Sequence, residues 1–387
     1  MAKKMNFYPV ILAGGRGTRF WPRSRKRNAK QLLALNGRQS MIQQTVARLL
    51  PLSGAAKIWI VTNDDLRPGI LRQLPRVPAA QVVAEPAGRN TAPAIGLAAF
   101  ILARLDPGAV LGLFPSDHVI ADQKEYQRLV RRAVEVAAAG PYIVTLGIKP
   151  GGPETGYGYI EAGAAVTRGE DPGFAVGRKA AGKNQDVLRV CRFCEKPDRA
   201  RAEQFLAAGN YYWNSGMFVW SAATLVAALR EHLPATARLL EKIAAAWGTR
   251  AFRSTFARLY PRCENISIDY AVLESRSQQG PAASGIFCLP SDFGWNDLGS
   301  WTALYEHRRA QAKGAGDINI IDGERSFSLN ASGNYVYSPG KFVAVVGVKD
   351  LVVVETGDAL LITTRSAAQD VGKVVKYLDG KKLAQLV

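Results

Sequence analysis

The sequence predicts an α/β protein: a mostly parallel sheet with helices on both faces, plus a small C-terminal all-β domain. Three observations carry this. Short apolar runs alternate with longer segments of helical spacing through the first two-thirds of the chain, the texture of strand–helix–strand units. The first apolar run, Tyr8–Ile11, passes straight into a turn containing Gly14, Gly15 and Gly17, as at the carboxyl end of a buried strand. From about Asp317 the texture becomes Val-rich runs broken by glycines, which reads as short strands and turns.

The elements follow in order. Lys57–Thr62, Val110–Phe114 and Tyr142–Gly147 are apolar runs of strand length, and Met41–Leu50, Thr91–Leu105 and Tyr126–Ala139 carry helical apolar spacing between them. Asn330–Thr364 reads as the β-rich tail, a β-helix-like coil or a small sheet, its period too loose to choose between them. A short helix follows near Val371–Leu378. The expected division is 1–310 for the larger domain and 311–387 for the smaller, and an exposed edge of the tail invites self-association as a homodimer.

At 387 residues the chain is long enough for two such domains, and 48% hydrophobic with 21% charged residues is ordinary for a soluble globular protein. No apolar run reaches bilayer length, so no membrane partner is expected. The N-terminal run is short and leads into the glycine turn, which argues against a signal peptide and for a cytoplasmic location. Four cysteines are too few for a disulfide scaffold. Cys191 and Cys194 stand three apart on an expected strand, facing opposite ways, so plain thiols are expected rather than a zinc site.

The net charge is +18. The basic residues are scattered except for Arg23, Arg25, Lys26 and Arg27 beside the glycine turn, and no aromatic residues line a basic face. A specific nucleic-acid partner is therefore not expected. The cluster suits phosphorylated small molecules, and the remaining excess raises anion on-rates.

The turn beginning at Leu12 reads LAGGRGTRFWP. Glycines let the main chain approach a ligand and turn its N–H groups inward, and Arg16 and Arg19 add forked cations suited to phosphate. Gly14, Gly15 and Gly17, with Arg16 and Arg19, are thus candidates for gripping a polyphosphate. There is no Gly-Lys-Ser/Thr ending of a Walker loop, and Phe20 stands where a dinucleotide fingerprint has its third glycine. Asp117 follows a buried strand, and Asp297 lies in the aromatic and glycine-dense run Phe293–Trp301. Two carboxylates from distant segments suit one Mg2+ shared with substrate phosphates.

Glu85 is a candidate base reader, since one carboxylate accepts both donors on the guanine edge, and Arg89, Asn90 and Thr91 follow it near a helix N-terminus. Gly158, within Thr155–Ile160, suits close backbone approach to a sugar ring. Glu195 can accept from sugar hydroxyls, Lys196 can meet a sugar phosphate, and Asn214 is a further hydroxyl partner. The histidines His232 and His307 show no partner in the sequence and receive no role.

The motifs LAGGRGTRFWPRSR, AKQLLAL, EPAGRNTAPAI, FPSDHVI, TGYGYIE, FCEKPD, YYWNSGMF, SIDYAVLE and FGWNDLGSW occur in this order between residues 8 and 305. Together they resemble the sugar-1-phosphate nucleotidylyltransferases, and among these the members that use GTP and mannose 1-phosphate. The resemblance implies a Rossmann-like core, Mg2+ dependence, and formation of GDP-mannose and pyrophosphate. It implies a triphosphate role for Gly14, Gly15, Gly17, Thr18 and Arg19, a signature lysine at Lys30, metal carboxylates at Asp117 and Asp297, and sugar-phosphate contacts at Glu195, Lys196 and Asn214. The lysine motif departs from the family pattern: Ala29 stands where proline is usual and Leu32 where an aromatic is usual. Two alternatives stay open: a different sugar 1-phosphate or nucleotide, and a non-catalytic subunit that binds GDP-mannose and regulates a partner.

Overall fold

The structure, a computed structural model, describes residues 6–166, 187–312, 318–381 and 383–387; the expected change of texture at Asp317 lies outside them. The strands are β1 (Phe7–Leu12), β2 (Trp59–Asn63), β3 (Val82–Glu85), β4 (Val110–Pro115), β5 (Val119–Ile120), β6 (Ile143–Ile148), β7 (Tyr159–Ala165), β8 (Leu188–Cys194), β9 (Tyr211–Ser221), β10 (Ile286–Ser291) and β11 (Trp295–Asn296). Nine of them form one sheet in the order β3-β2-β1-β4-β9-β6-β10-β8-β7.

The pairings β1–β2, β2–β3, β1–β4 and β6–β10 are parallel, whereas β9 runs antiparallel to β4, β6 and β7, and β8 antiparallel to β10 and β7. The sheet is thus mostly parallel in strand direction, with β8 and β9 reversed. Register aligns the carboxyl ends that matter: Leu12 faces Pro115 and Val61, and Asn63 faces Glu85.

Strand β1 is buried on both sides because Val10 and Ile11 enter different cores. On one face Val10, Val61, Leu111 and Leu113 meet the helices Thr91–Leu105, Ala222–His232 and Pro234–Ala245. On the other, Ile11, Ile60, Val110 and Phe114 meet Met41–Ser53 and Gln123–Ala139. This three-layer arrangement is the expected α/β architecture. Helix Thr91–Leu105 has the bounds its apolar spacing predicts. The second strand starts at Trp59 rather than Lys57, because Ala55–Lys57 closes a 3-10 turn first.

The C-terminal region holds β12 (Ile320–Asp322), β13 (Ser326–Leu329), β14 (Tyr335–Tyr337), β15 (Val343–Val346), β16 (Leu351–Glu355) and β17 (Leu360–Thr364). Strands β12, β14 and β16 stack in parallel, as do β13 and β15, and β17 closes the stack antiparallel to β16. Successive parallel rungs are the coils of a β-helix, which decides the choice the sequence left open. Buried Asn334 ties the rungs together: it donates to the Val348 carbonyl (3.0 Å) and accepts from Leu351 N–H (2.9 Å). Phe327, Leu329 and Val346 stay exposed on the outer strands. Helix Val371–Gly380 follows β17, and a short 3-10 turn, Ala384–Leu386, comes after it. All four cysteines are free thiols.

Candidate active site

The glycine turn is held by its carbonyls. The Ala13 carbonyl accepts from Thr62 Oγ1 (2.8 Å) and Gln31 Nε2 (3.1 Å), and Gln31 also donates to the Gly15 carbonyl (3.0 Å). Ser24 Oγ donates to the Gly17 carbonyl (2.6 Å). Gly17 has φ 61°, and a Cβ there would lie 2.5 Å from Lys30 Cβ, so both conformation and space demand glycine. Gly14 and Gly15 remain exposed beyond Leu12, whose own carbonyl accepts from Ser116 N–H. Thr18 and Arg19 form the short turn that follows. Carbonyls anchored to the body of the protein leave this exposed stretch fixed at the sheet's carboxyl edge, where anion ligands of such sheets bind.

The two candidate metal carboxylates come from segments joined by a small antiparallel ribbon, in which Asn296 of β11 faces Val119 of β5. Buried Arg48 donates to the His118 carbonyl (3.0 Å) and fixes the first of these turns. Lys30 Nζ then sits between the two segments, 2.8 Å from Asp117 Oδ2 and 2.6 Å from the Asp297 carbonyl. Burial pushes the Asp117 carboxyl up, but Lys30 and neighbouring groups more than offset this and hold it below the usual range. Asp297 Oδ1 accepts from Tyr157 Oη (2.8 Å) and Gly299 N–H (3.0 Å). A Cβ on Gly299 would lie 3.0 Å from Asp297 Oδ2 and 3.5 Å from Arg19 Nη1, so Arg19 borders the second carboxylate. Two carboxylates beside cations fit a hard divalent ion that takes its remaining ligands from phosphate and water. Among the described residues no cluster of three or more His, Cys, Asp or Glu forms a dedicated protein cage. Burial drives the His118 imidazole down to about 4, and its Nδ1 accepts from Trp295 Nε1 (3.1 Å), so it serves as a neutral wall.

Glu85 ends β3 beside the glycine turn; a Cβ on Gly14 would lie 3.7 Å from its Oε2. Its other oxygen accepts from Tyr260 Oη. Burial raises the Glu85 carboxyl to about 7, against a lowering by the Tyr260 hydroxyl. The next three candidates are used locally. Arg89 turns its guanidinium to the Pro261 carbonyl. Asn90, at φ 64°, caps helix Thr91–Leu105 through its Oδ1 (2.8 Å), and Thr91 Oγ1 accepts from Ile268 N–H (2.9 Å). Arg89 and Thr91 therefore tie down the segment that carries Tyr260, the partner of Glu85, while Asn90 caps the helix.

The sugar-side candidates converge around a glycine. A Cβ on Gly158 would lie 2.6 Å from Glu195 Oε2 and 3.4 Å from Asn214 Cβ, and the Gly158 carbonyl accepts from Asn214 N–H (2.8 Å). Lys196, at φ 42°, pairs with Glu195 at 2.8 Å and keeps an exposed side chain. Asn214 Nδ2 donates to Asp269 Oδ1 (2.8 Å). Burial, with the Glu195 charge, lifts the Asp269 carboxyl to about 6. Sequence reasoning gave no role to Tyr260 or Asp269. Asp269 lay inside the quoted SIDYAVLE motif, whereas nothing local marks Tyr260.

Residues 8–314 match the family described as Nucleotidyl transferase, and residues 324–378 match the MannoseP isomerase/GMP-like beta-helix domain. A mannose-1-phosphate guanylyltransferase of Escherichia coli (strain K12) is 38% identical over 97% of this chain and 74% of its own length. The xanthan biosynthesis protein XanB of Xanthomonas campestris pv. campestris is 39% identical over 96% of this chain and 73% of its own. A crystal structure described as mannose-1-phosphate geranyltransferase from Thermus thermophilus superposes with a TM-score of 0.81 at 30% identity, over 97% of this chain and 100% of that one. The chain belongs to the nucleotidyl transferase family.

Proposed function

We propose that the chain is a mannose-1-phosphate guanylyltransferase, a cytoplasmic enzyme that joins GTP and α-D-mannose 1-phosphate to give GDP-mannose and pyrophosphate. The observation that carries this is Lys30 bridging the Asp117 carboxylate and the Asp297 carbonyl, beside a glycine turn at the sheet's carboxyl edge. Relatives matched over 97% of this chain and named for this activity support the choice of nucleotide and sugar.

In this reading a phosphate oxygen of mannose 1-phosphate bonds to the α-phosphorus of GTP, the α–β bridging bond breaks, and its electron pair leaves with pyrophosphate. The nucleophile is already anionic, so no covalent enzyme intermediate and no general base are needed. The chain's task is to bring two anions together and neutralise them. The glycine turn and Arg19 hold the triphosphate, and Lys30 meets charge that develops on the leaving group. Lys196 aims the sugar phosphate, while Glu195 and Asn214 hold the sugar hydroxyls against the flat face at Gly158. Glu85 accepts from the guanine edge. Asp117 and Asp297 would hold Mg2+, which would supply charge neutralisation at the phosphates.

The test is a panel of nucleoside triphosphates against sugar 1-phosphates, scored by pyrophosphate release. GTP with mannose 1-phosphate is expected to give the highest kcat/KM. Asp117→Ala is expected to lose on the order of a hundredfold or more in rate. Full activity of that variant in saturating Mg2+ refutes the metal assignment, and preference for another pair refutes the substrate assignment.

A further inference from the structure

The C-terminal region reaches back to the glycine turn. Arg19 Nη1 donates to Gln369 Oε1 at 2.9 Å. Arg16 Nη1 meets Asp379 Oδ2 at 3.1 Å. Between these contacts the helix Val371–Gly380 lies against the turn: a Cβ on Gly372 would be 3.5 Å from Thr18 Oγ1 and 3.9 Å from Arg19 Cγ. Just beyond the turn, Trp21 Nε1 donates to the Leu386 carbonyl (2.8 Å), and the Arg25 guanidinium reaches the same carbonyl and the Asp358 carboxylate (2.7 Å).

The two arginines meet chemically different partners. Asp379 is a carboxylate, so it neutralises Arg16. Gln369 offers a neutral amide oxygen, which fixes the direction of a guanidinium and leaves its charge for another anion. An exposed arginine side chain rotates about several bonds, so an unrestrained Arg19 would sample many directions. Here its Nη1 is held by Gln369, and that same nitrogen lies 3.5 Å from a Cβ built on Gly299, next to Asp297.

We propose that Gln369, in the C-terminal region, is a positioning residue that aims Arg19 at the nucleotide's phosphates. The β-helix side of the molecule then sets the geometry of the phosphate-binding turn rather than acting only as an appendage. The inference rests on the reading of Arg19 as a phosphate-binding group.

The test uses the full chain and the GTP plus mannose 1-phosphate assay. Gln369 is exposed, so its replacement is compatible with folding. Gln369→Leu removes the acceptor at similar size and is expected to lower kcat/KM for GTP about tenfold, leaving KM for the sugar phosphate unchanged. Gln369→Glu keeps an acceptor but cancels the charge, and it is expected to lose as much. Lys373→Ala, an exposed substitution on the same helix at a residue that pairs with Asp370, is the control and retains wild-type kinetics. Repeating the Gln369 changes in Arg19→Ala separates positioning from general destabilisation, because a residue acting through Arg19 has no further effect once Arg19 is gone. Additive losses, or wild-type kinetics for both Gln369 variants, overturn the proposal. Undiminished activity of Arg19→Ala alone overturns the reading of Arg19 instead.

Discussion

Glu85 is a carboxylate whose environment works against its charge. Burial lifts it to about 7, and the Tyr260 hydroxyl pulls the other way. Accepting both guanine donors requires the ionised form. Below about 7 the free protein holds the proton and must lose it to bind, so KM for GTP is expected to rise as pH falls, approaching tenfold per pH unit well under the inflection, and to level off above it. In Tyr260→Phe the lowering contribution is gone, so the inflection moves to higher pH; in Glu85→Gln the profile flattens and KM rises. Steady-state GTP titrations across this range check all three, and an unchanged inflection in Tyr260→Phe sinks the coupling. At this scale the sequence offered candidate site residues but not what holds them. Asp117 was read from its place after a buried strand, Asp297 from an aromatic and glycine-dense run, and Lys30 only from the resemblance of AKQLLAL; the structure brings the three segments together. Their supports come from afar: Tyr260 lies 175 residues from Glu85, and Gln369 lies 350 from Arg19. No local pattern reports such pairings, and a lone Tyr or Gln in a helical run carries no signal.

Elements were legible where their pattern is self-contained. The apolar helix Thr91–Leu105 is such a case, with a capping Asn at its start. Strand direction was not, because an apolar run reads the same in a parallel or an antiparallel neighbour. This is why β9, threaded backwards between β4 and β6, was not expected. Its placement matters for function: β9 brings Asn214 beside Gly158 of the segment that enters β7, where the two strands pair. A methyl group at Gly158 would collide with Glu195 Oε2 at 2.6 Å. Gly158→Ala is therefore expected to push Glu195 out of place and raise KM for mannose 1-phosphate about tenfold, while KM for GTP stays close to wild type. Separate titration of each substrate measures this, and equal effects on both would place Gly158 outside the sugar site.

Over the whole molecule, the β-helix and the phosphate-binding turn share a core. Trp301 is fully buried, 4.9 Å from the Phe20 ring and 5.4 Å from the Tyr335 ring, and its indole N–H donates to the Trp21 carbonyl (3.1 Å). One side chain thus joins the glycine turn, the helix Trp301–Gln311 and the second rung of the β-helix. Val352, Val354, Val371 and Val375 complete the same cluster. The sequence suggested two domains from a change of texture, and texture cannot report that their apolar faces meet. Because neither side can expose this cluster to water cheaply, the two regions are expected to unfold together. Calorimetry should then give one cooperative transition for the full chain, with calorimetric and van't Hoff enthalpies in agreement. Trp301→Ala removes the shared side chain and its hydrogen bond, a change worth about 3–5 kcal/mol for a buried tryptophan. It should lower the transition temperature and weaken GTP binding together, since the turn that carries Arg19 loses its floor. Two separate transitions in the wild-type chain, or a destabilised variant with unchanged GTP affinity, would show that the β-helix is an independent unit and that the turn keeps its shape without it.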